Sequence, residues 1–173
     1  MEPIPERQDN EVGFDLAAIG SRIGAKAIDA FVGIAVYIAV FFFVFATYDI
    51  SLEVDTDIVI PDNAARILRW VPVLVWAAYD ILLIKNRGQT VGKMVTKIKV
   101  ITASGDDPPP LSAASIRWAV LALPMTVIPD LIGLFISLLI GFWFVWDANR
   151  QGVHDKAAST YVVNVAAPTD AAI

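Results

Sequence analysis

The chain has 173 residues, of which 57% are hydrophobic, and a formal net charge of −5. Soluble domains are about 45–50% apolar, so this composition favours an integral membrane protein of one domain. The sequence contains no cysteine, which excludes disulfides, thiolate metal sites and a cysteine nucleophile. The acidic balance argues against a nucleic-acid partner.

The first predicted membrane helix covers residues 22–47 and begins with a group of charges. Beyond that entry the span holds one charged side chain, Asp29, and about 20 residues suffice to cross the hydrocarbon core. Helical spacing places Arg22, Lys26 and Asp29 on one face, which we expect to face protein because charge in lipid is costly. Lys26 can also be interpreted as an anchor at the interface, whereas Asp29 cannot. Residues 1–19 are polar and acidic, and we interpret them as a mobile tail.

The next segment, residues 48–65, is an acidic loop without lysine or arginine. The positive-inside rule places such a loop outside the cell, with the basic start of the first helix in the cytoplasm. Its LEVDTDIVI stretch alternates and predicts a short strand or an extended lid. A calcium loop is rejected because the turn glycine and the closing glutamate are missing. We prefer a solvated acidic loop, and a vestibule that attracts cations is the alternative.

The second predicted span covers residues 67–84, with Pro72 expected in its first turn and Asp80 inside it. Asp80 lies about 7 Å from the basic end of its helix and Asp29 about 10 Å from the basic end of the first. Two antiparallel helices would therefore hold these carboxylates at nearly the same depth. The pair could share a proton or hold a cation. In the preferred interpretation each acid instead neutralises a basic side chain, one of Arg22, Lys26 and Arg117.

Residues 86–117 form a basic segment that we place in the cytoplasm. Four apolar side chains at helical spacing predict an interfacial amphipathic helix with Lys93 and Lys97 on another face, namely Val91, Met94, Val95 and Ile98. The alternating stretches Lys97–Thr102 and Thr160–Val165 are predicted to pair as a small ribbon. Ser112 is expected to cap the next helix.

The apolar region that follows is long for one span and short for two. Because basic residues follow it directly, we predict two spans, residues 113–128 and 131–147, as a hairpin that turns near Pro124 to Asp130. Three spans with a kinked last helix is the alternative. The predicted fold is an all-α membrane protein, a four-helix transmembrane bundle with a cytoplasmic amphipathic helix and a β-ribbon. Both termini are cytoplasmic, and residues 166–173 form a C-terminal tail.

Four motifs, in order, resemble the RDD family of small integral membrane proteins: SRIGAKAID, GQTVGKMVTKIKVITASG, SIRWAV and RQGVHDKAAST before a final YVV. The resemblance covers residues 20–165, the expected transmembrane domain. The family's signature is an arginine at the start of the first helix, an aspartate within that helix, and a second aspartate after a histidine. These map to Arg22, Asp29 and Asp155, with His154 before the last.

The resemblance implies membrane transport of a small ion or solute, with cation/proton antiport proposed for some members, in a prokaryotic cell membrane. More distant members resemble scaffolds, so a non-transporting partner subunit with a structural salt-bridge network is the alternative. The predicted charge cluster comprises Arg22, Asp29, Asp80, Arg117, His154 and Asp155, with Lys26 and Lys93 supporting.

We expect neither an enzyme nor a cofactor or metal, because a single histidine and no Gly-x-Ser-x-Gly motif leave no hydrolase triad. His154 is interpreted as a structural hydrogen-bonding group, with a proton relay as the alternative. The expected partners are the lipid bilayer, a small cation or proton, and further copies of the chain. Four short helices enclose little volume, so a transporter of this size is expected to be a homo-oligomer, and Gly24 and Gly33 offer positions of close contact.

Overall fold

The computed structural model describes residues 13–48, 50, 60–128 and 130–165. In chain order its elements are α1 (Ile19–Thr47), α2 (Asp62–Arg87), α3 (Val91–Val95), β1 (Ile98–Thr102), α4 (Leu111–Val127), α5 (Asp130–Phe142), a 3₁₀ turn (Trp143–Val145), α6 (Val153–Ala157) and β2 (Thr160–Asn164). The described chain is therefore mostly helical.

The helices α1 and α2 are long and apolar enough to cross a membrane, with mean hydropathies of 2.5 and 1.8 over their most apolar windows. At 1.5 Å per residue α1 is about 44 Å long. Only 6% of either window is buried within the chain, and large side chains such as Phe31 and Leu74 point outward. A core helix of a soluble domain would bury this surface, so the two helices are consistent with a membrane protein.

A hairpin of two shorter apolar helices, α4 and α5, completes the bundle. The helix α4 continues through Pro124 to Val127 and α5 begins at Asp130, so the end of one helix and the start of the next both lie within the predicted region. The side chain of Arg69 on α2 donates to the carbonyl of Thr126 at 3.2 Å. Since the last carbonyls of a helix lack partners within it, this bond ties the hairpin tip to α2.

The helices pack in sequence: α1 on α2, α2 on α4, and α4 on α5, while α3 lies on α1 and α6 on α4. A buried apolar cluster lies where these elements meet, formed by Ala17, Ala25, Ile84, Ile98, Val100, Ala114 and Val162. Its alanines let helix backbones approach closely. We call this end of the bundle, where α1 and α4 begin and α2 ends, the ribbon end.

The two strands form an antiparallel ribbon in which Ile98 pairs with Asn164 and Thr102 with Thr160. The predicted pairing of these segments is thus confirmed. The N-terminal segment was expected to be a tail through residue 19, yet Leu16 forms a bridge with Val163. The backbone N–H of Ala17 also donates to Val162 at 2.9 Å. The packed part of the chain therefore begins before α1.

Several predicted boundaries were wrong. The helix α2 begins at Asp62, so Pro72 lies inside it and not in its first turn. The helix α4 begins at Leu111 after Pro110, which leaves Ser112 inside the helix without a capping bond. The predicted strand or lid of the acidic loop lies outside the described residues, as does the C-terminal tail.

The predicted interfacial amphipathic helix was also wrong in extent. The helix α3 has five residues, and Ile98 belongs to β1. Its apolar side chain Val95 is 63% exposed, while the ammonium of Lys93 turns inward to Thr90. Gly24 and Gly33, expected at contacts between copies, face Thr96 and Trp76 of the same chain.

Candidate functional site

The carboxylate of Asp155 is the centre of a buried ion network at the ribbon end. Arg22 of α1 donates to one carboxylate oxygen and Arg117 of α4 to the other. The backbone N–H of Gly152 adds a third bond at 2.7 Å. Asp155 is fully buried, and each arginine is 4% exposed. We call this group, Arg22, Arg117 and Asp155, the clamp, because it joins α1, α4 and α6.

The clamp arginines make further contacts besides those to Asp155. Arg117 donates to the hydroxyl of Thr160 on β2 at 2.5 Å. Arg22 donates to the backbone carbonyl of Arg150, and its guanidinium lies 4.3 Å from the ring centroid of Phe144. The clamp therefore fixes the C-terminal segment, which carries α6 and β2, against α1 and α4.

Electrostatics keep the clamp carboxylate ionised. Burial alone would raise the pKa of Asp155, but Arg117, with Arg22 and the Gly152 N–H, holds that pKa well below its usual range. A carboxylate with two arginine partners and a backbone donor takes up a proton only in strong acid. At neutral pH the clamp has one protonation state.

His154 lies next to the clamp and is 4% exposed. Its Nε2 is 3.5 Å from Asp155, and its Nδ1 has no hydrogen-bond partner among the described residues. Burial lowers the pKa of His154 well below 6.5; the attraction of Asp155 opposes this shift, whereas Arg117, Lys26 and Arg22 add to it. The imidazole is therefore neutral at pH 7.

Asp29 sits in a second, separate site, where three neutral donors bind its carboxylate. It accepts from the hydroxyl of Tyr79 at 2.8 Å, from the hydroxyl of Thr90 at 2.6 Å and from the N–H of Gly92 at 2.8 Å. Asp29 is 7% exposed. A β-carbon on Gly92 would lie 2.1 Å from the carbonyl oxygen of Ala25, so only glycine lets α3 approach α1 this closely. The Asp29 carboxylate thus fastens α3 to α1.

Asp80 and Lys93 form a third, looser pair of charges. Asp80 is half-buried, and among the described residues no hydrogen bond or ion pair within 4.0 Å engages its carboxylate. Lys93 donates to Thr90 at 3.2 Å. Burial lowers the pKa of Lys93, and the attraction of Asp80 opposes that shift. Asp80 is therefore the least constrained of the three carboxylates of the predicted cluster.

The predicted cluster is thus three neighbouring sites. The structure brings together Arg22, Arg117, His154 and Asp155, but it joins Asp29 to neither arginine. Sequence reasoning missed the groups that hold Asp29 and part of the clamp, namely Tyr79, Thr90, Gly92 and Thr160. The sequence offered one signal for the Asp29 site: Thr90 stands two residues before Gly92 at the start of α3. At a helix start a side-chain hydroxyl and free backbone N–H groups lie close together and can bind one acceptor. No group of three acidic or histidine side chains that could hold a metal occurs in the described ranges.

The RDD family model matches residues 16–159, more than four fifths of the chain. The chain belongs to the RDD family. No curated protein and no solved structure matches it. In this RDD protein the signature arginine, Arg22, contacts the second signature aspartate, Asp155, whereas the first, Asp29, binds hydroxyl and amide donors. Arg22 and Asp29 therefore belong to two different sites on α1. The first site holds α6 and the second holds α3.

Proposed function

We propose that this RDD protein exchanges a small cation for a proton across the membrane, with Asp80 as the carboxylate that changes state. The observation that supports this is the difference between the three acids. Asp155 and Asp29 each accept three hydrogen bonds, whereas the carboxylate of Asp80 has none among the described residues. Ionisable groups at membrane depth that serve no structural bond are typical of ion pathways.

In this proposal Lys93 competes with the transported cation for the carboxylate of Asp80. It lies on the short helix α3, its charge interacts with Asp80, and burial makes its proton easier to lose. When a cation leaves Asp80, one proton is taken up, either by Lys93, whose ammonium then neutralises the carboxylate, or by the carboxylate itself. Such an arrangement couples cation release to proton uptake, because two positive charges compete for one negative charge.

The proposed topology has four spans, with both termini and the ribbon end in the cytoplasm. Basic residues at the ribbon end support it, including Lys85, Arg87 and Lys156. The helix α4 is about 25 Å long at 1.5 Å per residue, shorter than an average hydrocarbon core of about 30 Å. The hairpin would then either span a locally thinned bilayer or turn before it reaches the outer interface. The bond between Arg69 and Thr126 would mark the depth at which the hairpin turns.

The test is ion flux in sealed liposomes that contain the purified protein and a pH-sensitive dye. Na⁺, K⁺, Li⁺ and Ca²⁺ are added in turn outside wild-type, Asp80→Asn and Asp62→Asn vesicles. We expect at least one cation to move protons through wild type and Asp62→Asn, which carries the same change at the exposed start of α2. Asp80→Asn should remain folded and lose that flux. Equal flux through Asp80→Asn would refute the assignment.

One observation favours a second function, that of a scaffold subunit without transport. The clamp and the Asp29 site are saturated with donors, as expected of permanent structural bonds. In that case folded wild-type protein gives no flux with any cation, and the ribbon end binds another protein. Co-purification from its native membrane with a defined stoichiometric partner, together with absent flux, would select this function.

A further inference from the structure

Lys26 is a positive charge at the ribbon end that forms no ion pair within the described part of the chain. It is half-buried on α1, one helical turn after Arg22. Among the described residues no carboxylate lies within 4.0 Å of its ammonium. The ammonium instead lies 5.7 Å from the ring centroid of Phe142. A partly buried ammonium is costly unless an anion accompanies it.

The surrounding charges do not supply that anion. Four basic side chains, Arg22, Lys26, Lys93 and Arg117, interact in this region with four carboxylates, Asp29, Asp80, Asp147 and Asp155. Asp147 is already paired with a further basic side chain, Lys156, which leaves three carboxylates for the four basic side chains. The oxygens of Asp155 and Asp29 already accept other donors, and Asp80 lies towards Lys93. Lys93 also repels Lys26 electrostatically. The region therefore carries one uncompensated positive charge, and it lies at Lys26.

Lys26 lies where α1 and α5 face each other across a gap. The helix α5 packs along α4, whereas its contact with α1 is at most slight. The side chain of Lys26 reaches across this gap, since its Nζ lies 3.5 Å from the point where a β-carbon on Gly141 would be. Ser137 is on the same face of α5 one turn earlier. It is 8% exposed, and its hydroxyl has no partner among the described residues.

Two tryptophans indicate the depth of the gap. Trp143 and Trp146, in and after the 3₁₀ turn that follows α5, are 46% and 72% exposed. Exposed tryptophans concentrate where the membrane meets water. Lys26 therefore lies near the level of lipid headgroups. Basic pockets between membrane helices at this level bind anionic headgroups.

We propose that the gap between α1 and α5 binds the phosphate of an anionic lipid headgroup, with Lys26 as its direct contact and the Ser137 hydroxyl as a deeper hydrogen-bonding group. The bound phosphate neutralises Lys26 and fills the side of the bundle where α1 and α5 do not pack. This site is independent of the exchange proposed at Asp80, because its readout is lipid binding and not flux.

The test uses the full chain purified in neutral detergent and native mass spectrometry with dioleoylphosphatidylglycerol or dioleoylphosphatidylcholine. Wild type should retain phosphatidylglycerol in preference to phosphatidylcholine. Lys26→Gln should weaken the phosphatidylglycerol affinity about tenfold, as expected for the loss of one charge-assisted contact. Lys26→Arg should retain most of the affinity. Lys85→Gln, which removes an exposed lysine at the end of α2, should leave it unchanged.

Two results would overturn the proposal: equal binding of both lipids by wild type, or equal weakening by Lys26→Gln and Lys85→Gln. Size-exclusion profiles and the behaviour of Lys26→Arg separate loss of binding from loss of folding. A further arm adds inorganic phosphate to lipid-free protein. Phosphate binding that Lys26→Gln abolishes would support the anion site and assign it to a soluble anion, whereas the absence of such binding supports the lipid as the source.

Discussion

Asp155→Asn tests whether the clamp stabilises the fold. The substitution keeps the size of the side chain but removes the negative charge that Arg22 and Arg117 share. Both guanidiniums are 4% exposed, so they cannot recover solvation without opening the structure. Breaking a buried ion pair by removing one partner costs about 3–5 kcal/mol. We expect a loss of that size in the free energy of unfolding.

The assay is reversible unfolding in mixed micelles of a mild and a denaturing detergent, followed by the fluorescence of the five tryptophans. The matched control is Asp107→Asn, because Asp107 is exposed and pairs with Lys99 near the surface, and such pairs contribute about 0–1 kcal/mol. The double variant Asp155→Asn with Arg117→Gln should cost less than the sum of its single variants. A loss below about 1 kcal/mol for Asp155→Asn would refute the clamp as a stabilising network.

Two further predictions concern packing and pH. Gly92→Ala should destabilise the protein and detach α3 from α1, because the new β-carbon would clash with the backbone of Ala25. Faster amide exchange in α3 would show this. The control Gly20→Ala, where nothing lies within 4 Å of the new β-carbon, should be neutral or stabilising. Because burial holds the pKa of His154 well below 6.5, the unfolded chain binds a proton below pH 6.5 that the folded chain does not. The contribution of His154 to stability should therefore be constant well above that pH and fall by about 1.4 kcal/mol at pH 5.5. His154→Gln should abolish this fall, as pH-dependent unfolding would show.

The elements that depend on local sequence could be predicted. The first helix followed from one long apolar run, and the ribbon followed from two alternating stretches in a chain with few others. The depth of Asp29 and Asp80 was also predictable, because rise per residue and the position of the helix ends determine it. The contact between Asp29 and Tyr79, the neighbour of Asp80, agrees with that common depth.

The partner of each charge could not be predicted, because it depends on how the helices are rotated against one another. A shift of one residue turns a side chain by about 100° around a helix. Tyr79 therefore faces Asp29, and Asp80 lies beside that contact. The position of α3 was missed for a similar reason. Periodicity indicated a helix on the membrane surface, but the lack of a side chain at Gly92 lets this segment pack on α1.

The most direct test of the central claim, that Asp80 exchanges a proton for a cation, is proton release on cation binding. Purified protein in unbuffered detergent solution, with a pH indicator, is titrated with the cation that gives flux in liposomes. Wild type and Asp155→Asn, if it remains folded, should release protons as the cation saturates the site, and Asp80→Asn should release none. Release from Asp80→Asn equal to that of wild type would contradict the account.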